Sequence, residues 1–234
     1  MKKYLISNEG TFNKANLHSH STMSDGSLTP EQMKEHYLSL GYSVVAYTDH
    51  DLMVCHNDLT DENFVALNGF EVEFWEKDKP ARSWPFRREC HINFIALDPE
   101  TENQPFWHRT KYIIGNKHLR YLGKFDENEP DFERWYDEYC ISRIMREGRE
   151  KGFFVTYNHP SWSREDYSYY SKYHGMNALE IMNGAINAVT TITPCAPTTI
   201  CSAVEKRFSL LRATIITTVI HSTLHTPIAV FAGL

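Results

Sequence analysis

The chain has 234 residues, of which 41% are apolar, 23% charged and 13% aromatic, a composition that suits one globular domain with a sizeable core. Lysine and arginine number 24 against 30 aspartates and glutamates, and the resulting net charge of −6 argues against an electrostatic clamp for long nucleic acid. No apolar run reaches the roughly 18 residues of a membrane span, no signal-peptide pattern opens the chain, and five scattered cysteines lack a CxxC pair, so a cytoplasmic protein with no membrane and no obligate protein partner is expected.

In chain order, a short strand opens at Leu17 and ends in His18 and His20. Thr29-Pro30-Glu31-Gln32 begins a helix: Thr29 caps, Pro30 suits the first helical position and Gln32 completes a capping box, while Gly41 marks the stop. Ser43–Thr48 is a strand rich in β-branched and aromatic residues, and Asn93–Leu97 is another. Residues 98–129 are irregular and suggest an insertion. Residues 130–151 predict a helix, with Phe132, Trp135, Tyr139 and Met145 near helical spacing and Gly152 past its end. Phe153–Tyr157 and Ala178–Met182 are further strands. Repeated strand–helix units imply an α/β fold with a parallel sheet or barrel.

Twelve histidines point toward metal. Alternation along a strand puts His18 and His20 on one face. Ser24-Asp25-Gly26 then brings a carboxylate into a turn. Asp49-His50-Asp51 ends the next strand, Glu71 and Glu73 follow Gly69, His91 precedes the Asn93 strand, and His159 ends the Phe153 strand. In α/β barrels chemistry collects at strand ends. A mixed nitrogen and oxygen donor set suits zinc, manganese or iron better than magnesium or calcium.

These residues carry a resemblance. His18-Ser19-His20-Ser21-Thr22-Met23-Ser24-Asp25-Gly26, Thr48-Asp49-His50, Gly69-Phe70-Glu71, Cys90-His91 and Asn158-His159-Pro160 resemble the motifs of the PHP (polymerase and histidinol phosphatase) family, in family order, over residues 14–184. The resemblance implies a distorted (β/α)7 barrel holding two or three divalent ions and hydrolysing phosphoesters through a metal-activated hydroxide. It implies that His18 and His20 bind the first ion, that Glu71 bridges to a second completed by His91 and His159, and that Asp25 and His50 serve a third. Glu71 and His159 are the catalytic candidates, and Arg164 is a candidate for the substrate phosphate or a solvated loop residue. Small phosphate monoesters, nucleotides or a short nucleic-acid end fit as substrates. An amidohydrolase-like hydrolase is the alternative, although no lysine stands where its bridge would; a non-catalytic metal-binding remnant is the other.

Other residues have blander expectations. Glu73 is an alternative bridge, Asp49 and Asp51 shape the turn, Asn183-Gly184 shapes the pocket, and Cys90 is core. His36, His56, His108, His118 and His174 match no motif and are expected to be structural.

The chain changes character near residue 185. Residues 186–234 contain ten threonines, one acidic residue and no aspartate, so they are set apart as a tail to the domain of residues 1–185. The resembled family closes its site with a late Asp-x-His or Asp-x-x-His, and nothing here matches, so the barrel is expected to be incomplete at its C-terminal end. A change of reading frame near residues 184–188 accounts for this, because the shifted codons of Ala213–Thr217 permit Asp-Asp-Asn-His. A divergent tail is the alternative. Either way the written chain is expected to be impaired.

Overall fold

The computed structural model describes residues 13–76, 87–113, 117–183 and 215–217. The boundary at residue 185 and most of the tail, with its proposed frame change, lie outside the described residues.

Seven strands join in one sheet in chain order: β1 (Lys14–Asn16), β2 (Tyr42–Tyr47), β3 (Val65–Trp75), β4 (Glu89–Ala96), β5 (Phe153–Asn158), β6 (Ala178–Asn183) and β7 (Ile215–Thr217). β1, β2 and β3 are parallel, as are β5, β6 and β7, while β4 runs antiparallel to both neighbours. β7 also approaches β1, so the sheet curls into an incomplete barrel. The uniform strand–helix repeat is not what forms. Reversal of β4 removes the need for a crossover helix on either side of it, and β2 reaches β3 through a single 3-10 turn, Asn57–Leu59. The reversal also explains why His91 precedes its strand's apolar run: the start of β4 lies beside the end of β3, where His91 faces Glu73 in register.

The sheet is polar inside and apolar outside. Strand alternation sends Phe70, Val72, Phe74, Ile92, Phe94, Val155 and Tyr157 into the core outside the curl. It sends Glu71, Glu73, Glu89, His91, Asn93 and Asn158, all buried, the other way.

Helix α1 (Pro30–Ser39) begins as expected. The Thr29 hydroxyl accepts from the Gln32 N–H at 3.3 Å, and Gln32 Oε1 accepts from the Thr29 N–H at 3.0 Å. Gly41, at φ +76°, follows its end. Helix α2 (Glu138–Glu150) starts eight residues later than expected, because the Asp137 carboxylate accepts from the Cys140 N–H at 2.7 Å and caps it there. Trp135 and Tyr139 are consequently exposed, and the buried face is Cys140, Ile141, Ile144, Met145 and Gly148. Two short helices, α3 (Pro160–Ser163) and α4 (Tyr167–Tyr170), follow β5. The expected insertion packs a small core of Trp107 and Ile113 on Leu52. Gln104 fastens it to the loop after β2, accepting from the Met53 N–H at 2.7 Å and donating to the Asp51 carbonyl at 3.1 Å. Among the described residues no helix is long and apolar enough to cross a membrane.

Candidate metal centre

β1 ends at Asn16, so His18 and His20 lie just past it rather than on it. Their shared direction survives because Ser19 continues the ladder: its carbonyl accepts from the Thr48 N–H at 2.9 Å, and its own N–H donates to Thr48 Oγ1 at 3.0 Å. Asp49 braces the following turn, accepting from the Ser21 N–H, the Ser21 hydroxyl and the Ser24 hydroxyl at 2.7–2.8 Å. The turn is pressed against the site. A side chain on Gly26 would place its Cβ 2.1 Å from the His20 carbonyl oxygen, a contact only glycine avoids. His50 sits opposite Glu71 in an isolated parallel bridge just beyond β2.

Glu71 is the hub. Its Oε1 lies 3.3 Å from His18 Nε2, 3.2 Å from His91 Nδ1 and 3.5 Å from His159 Nε2, and accepts from Asn158 Nδ2 at 2.8 Å. Its Oε2 lies 3.2 Å from His20 Nε2 and 3.3 Å from His50 Nδ1. The two sets touch where His18 Nε2 and His20 Nε2 stand 3.0 Å apart. Asp25 closes the outer edge, with Oδ1 3.2 Å from His20 Nδ1 and Oδ2 3.7 Å from His50 Nε2. All seven candidate ligands thus meet, but the carboxylate oxygens divide the imidazoles as His18, His91 and His159 against His20 and His50. That is a different partition from the one the family motifs imply.

The donor chemistry fits divalent metal. His18, Glu71 and His159 form one close donor group, and His20, His50 and Glu71 another. The Nδ1 atoms of His50 and His91 are buried without a hydrogen bond and face Glu71, one on each carboxylate oxygen, as donors able to take a metal would.

Burial opposes charge on every group here, and the neighbours decide which groups carry it. Glu71 is held ionised well below the usual carboxylate range by His18, His91 and His159 despite its burial. Burial would lower His18 and His20, but Glu71 with Glu180 raises the first to about 9, and Asp25 with Glu71 raises the second to about 10. His91 is raised well above its ordinary value, against burial, by Glu71 and Glu89. Burial, with His20⁺ beside it, pushes His50 down to about 3, and burial also lowers His159.

Glu73 does not share this hub. It meets Arg87 Nη2 at 3.4 Å and forms a further group with Glu89 and His91, which adjoins the hub through His91. Asp51, at φ +56°, is buried against Arg134 at 2.5 Å. Arg164 is exposed after α3, at φ +62°. Cys90 is core, and His56 and His108 are buried outside the donor groups, the backbone N–H of His56 donating to Asn68 Oδ1 at 2.8 Å. Glu180 and Glu89 carry no motif in the sequence. Both sit on strands at inward positions, and only strand alternation marks them, whereas Asn158 belongs to the Asn158-His159-Pro160 motif.

No family model and no curated protein matches the chain. Solved structures do. A Bifidobacterium adolescentis protein, provisionally assigned as a metal-dependent phosphoesterase, aligns at TM-score 0.52 and 17% identity over 90% of this chain and 88% of its own. A two-domain Bacteroides vulgatus protein, for which a PHP-like metal-dependent phosphoesterase is inferred, gives TM-score 0.47 and 18% identity over 93% of this chain and 57% of its own. An amidohydrolase from Chromobacterium violaceum, with bound sulfate and no metal, gives 0.46 and 16% over 84% of each. The first likeness defines the fold. Fold and site together describe a mixed α/β, incomplete barrel with a buried histidine–glutamate cluster able to hold metal.

Proposed function

We propose that the chain is a metal-dependent phosphoesterase acting on small phosphate monoesters, nucleotides or short oligonucleotide ends, using two or three zinc, manganese or iron ions. The observation that carries this reading is one buried carboxylate, Glu71, facing five imidazoles at 3.2–3.5 Å. When bound, paired ions of this kind lower the pKa of water and neutralise charge developing on a phosphoryl group.

Glu71 would be the shared ligand. His18, His91 and His159 would complete one position, His20 and His50 another, with Asp25 and His50 offering a third. Asp25 is 56% exposed and marks the open side from which a phosphoester enters. Trp162 stands edge-on to His91 and His159 at ring distances of 5.2 and 5.1 Å and keeps water from that side. Glu71 and His159 carry the catalytic assignment, and Arg164, shortly after His159, is assigned to the substrate phosphate. A carboxylate bridge supports phosphoester over amide hydrolysis, and the net charge of −6 supports small substrates. Cys55, Cys90 and Cys140, all unpaired, support a reducing cytoplasm.

The tail belongs to the same reading. We take residues 186–234 to be an out-of-frame ending that weakens the centre, supported by the composition break and the permitted Asp-Asp-Asn-His. The nucleotide sequence across codons 180–234 tests it: absence of that frame rejects it.

The function is tested with p-nitrophenyl phosphate and added Mn²⁺ or Zn²⁺. Metal-dependent turnover is expected, higher once the frame is restored, and Glu71→Ala or His20→Ala should bring turnover to background while leaving the circular dichroism spectrum intact. Turnover of amides alone, or phosphate release unaffected by Glu71→Ala, would overturn the reading.

A further inference from the structure

We infer that Glu180, on β6, is a positioning residue that fixes which nitrogen of His18 faces the metal and at the same time anchors the backbone of His159. This rests on the metal-centre reading above and assigns it a residue outside the sequence motifs.

Glu180 is 1% exposed. Its Oε2 lies 3.3 Å from His18 Nδ1 and accepts from the His159 backbone N–H at 3.1 Å. Its Oε1 accepts from Asn183 Nδ2 at 3.2 Å. One carboxylate therefore joins the chain leaving β1 to the chain leaving β5. An ionised carboxylate only accepts, so the His18 nitrogen facing it must carry the proton. Once the ring gives up its second proton, the lone pair is left on Nε2, which faces Glu71 and His20. Glu180 lies behind the donor face of the His18 ring, not among the donors, which makes it a positioning residue rather than a ligand. His159 has φ +25°, a backbone state disfavoured for a side-chain-bearing residue. The bond from its N–H to Glu180 helps hold it there.

The neighbouring imidazoles follow the same scheme. His91 turns Nδ1 to Glu71 and Nε2 to Glu89 Oε2 at 3.2 Å. His159 turns Nε2 to Glu71 and Nδ1 to Ser163 Oγ at 3.3 Å. Each imidazole on the Oε1 side of Glu71 thus has its far nitrogen held by an oxygen of the chain. Such outer partners set ring orientation and ligand basicity, and their loss costs about 10- to 100-fold in metal affinity.

The test is calorimetric titration of the metal-free full chain with Mn²⁺, alongside long-range ¹H–¹⁵N correlation spectra of the Zn²⁺-loaded protein. In the wild type, His18 should show its proton on Nδ1. Glu180→Gln can present its amide N–H to His18 Nδ1 and favour the wrong tautomer. It should weaken Mn²⁺ about 10- to 100-fold and remove the Nδ1–H signature. Asn183→Ala, which keeps the carboxylate but loosens it, should weaken Mn²⁺ by a smaller factor and keeps the test open if Glu180→Gln fails to fold. Wild-type binding with unchanged affinity in both variants, or a His18 proton on Nε2 in the wild type, overturns this inference alone. Failure of the wild type to take up Mn²⁺ or Zn²⁺ overturns the metal reading and this inference with it.

Discussion

Five imidazoles around one carboxylate cannot all be charged, and the metal-free centre settles on an alternation. His18, His20 and His91 keep protons at neutral pH, while His50 and His159 stay neutral. A cation must displace those protons, because an imidazole binds metal only through a free lone pair. Metal uptake should therefore release protons, and affinity should rise with pH from 6 through 9, the range below the raised values of about 9 for His18 and 10 for His20. Calorimetry in two buffers of different ionisation enthalpy measures the release, and buffer-independent heats would place the cation elsewhere. The candidate donors were legible because imidazoles and carboxylates recurring at successive strand ends are a distinctive pattern. Glu180 and Glu89 were not, since a glutamate within a strand carries no local signal. Their role arises from pairing across the sheet, and it is read only once β6 and β4 are placed.

At the scale of elements, local chemistry was legible where one residue decides it and obscure where packing does. The Thr29 capping box named the start of α1 correctly. The start of α2 was misjudged because Phe132, Trp135 and Tyr139 mimic a helical stripe, whereas the Asp137 cap governs. β3 escaped notice because its inward positions are Glu71 and Glu73, so it lacks the apolar look of a buried strand. Gly148 shows packing overriding propensity. In an exposed helix Gly→Ala gains about 1 kcal/mol. Here an added Cβ would stand 2.4 Å from Phe94 Cε1 and 2.7 Å from its Cδ1, inside the main core. Phe94 is fully buried and stacked on Phe70 at 5.0 Å, so it cannot swing away. Gly148→Ala should therefore destabilise the protein by roughly 1–3 kcal/mol, seen as a lower midpoint in urea with little change in slope. A raised midpoint would mean that α2 can lift off the sheet.

For the whole molecule, the centre does what an ordinary core cannot do in an open barrel. Its residues come from the ends of β1 and β2, from β3 and β4, and from the end of β5, with β6 behind them. In the sheet each of those strands pairs with its immediate neighbours, and β7 approaches β1. A cation bound there would tie both halves of the sheet across its concave face. It would also cancel the repulsion among His18, His20 and His91 by taking the place of their protons. Because the ligands are brought together only in the folded chain, metal binding adds directly to stability, by about 2.7 kcal/mol when the free ion stands at 100 times its Kd. For a chain of this length each kcal/mol moves the midpoint by about 2–4 °C, so Mn²⁺ at that level should raise Tm by roughly 5–10 °C. The rise should vanish in Glu71→Ala, where the two donor groups that contain Glu71 lose their common member, and persist in Arg164→Ala, an exposed residue outside the donor groups. Differential scanning calorimetry with and without Mn²⁺ on these three proteins measures it. An equal rise in Glu71→Ala would show that the ion binds somewhere other than this hub, and the sheet would then have to be held together by its core and strand pairing alone.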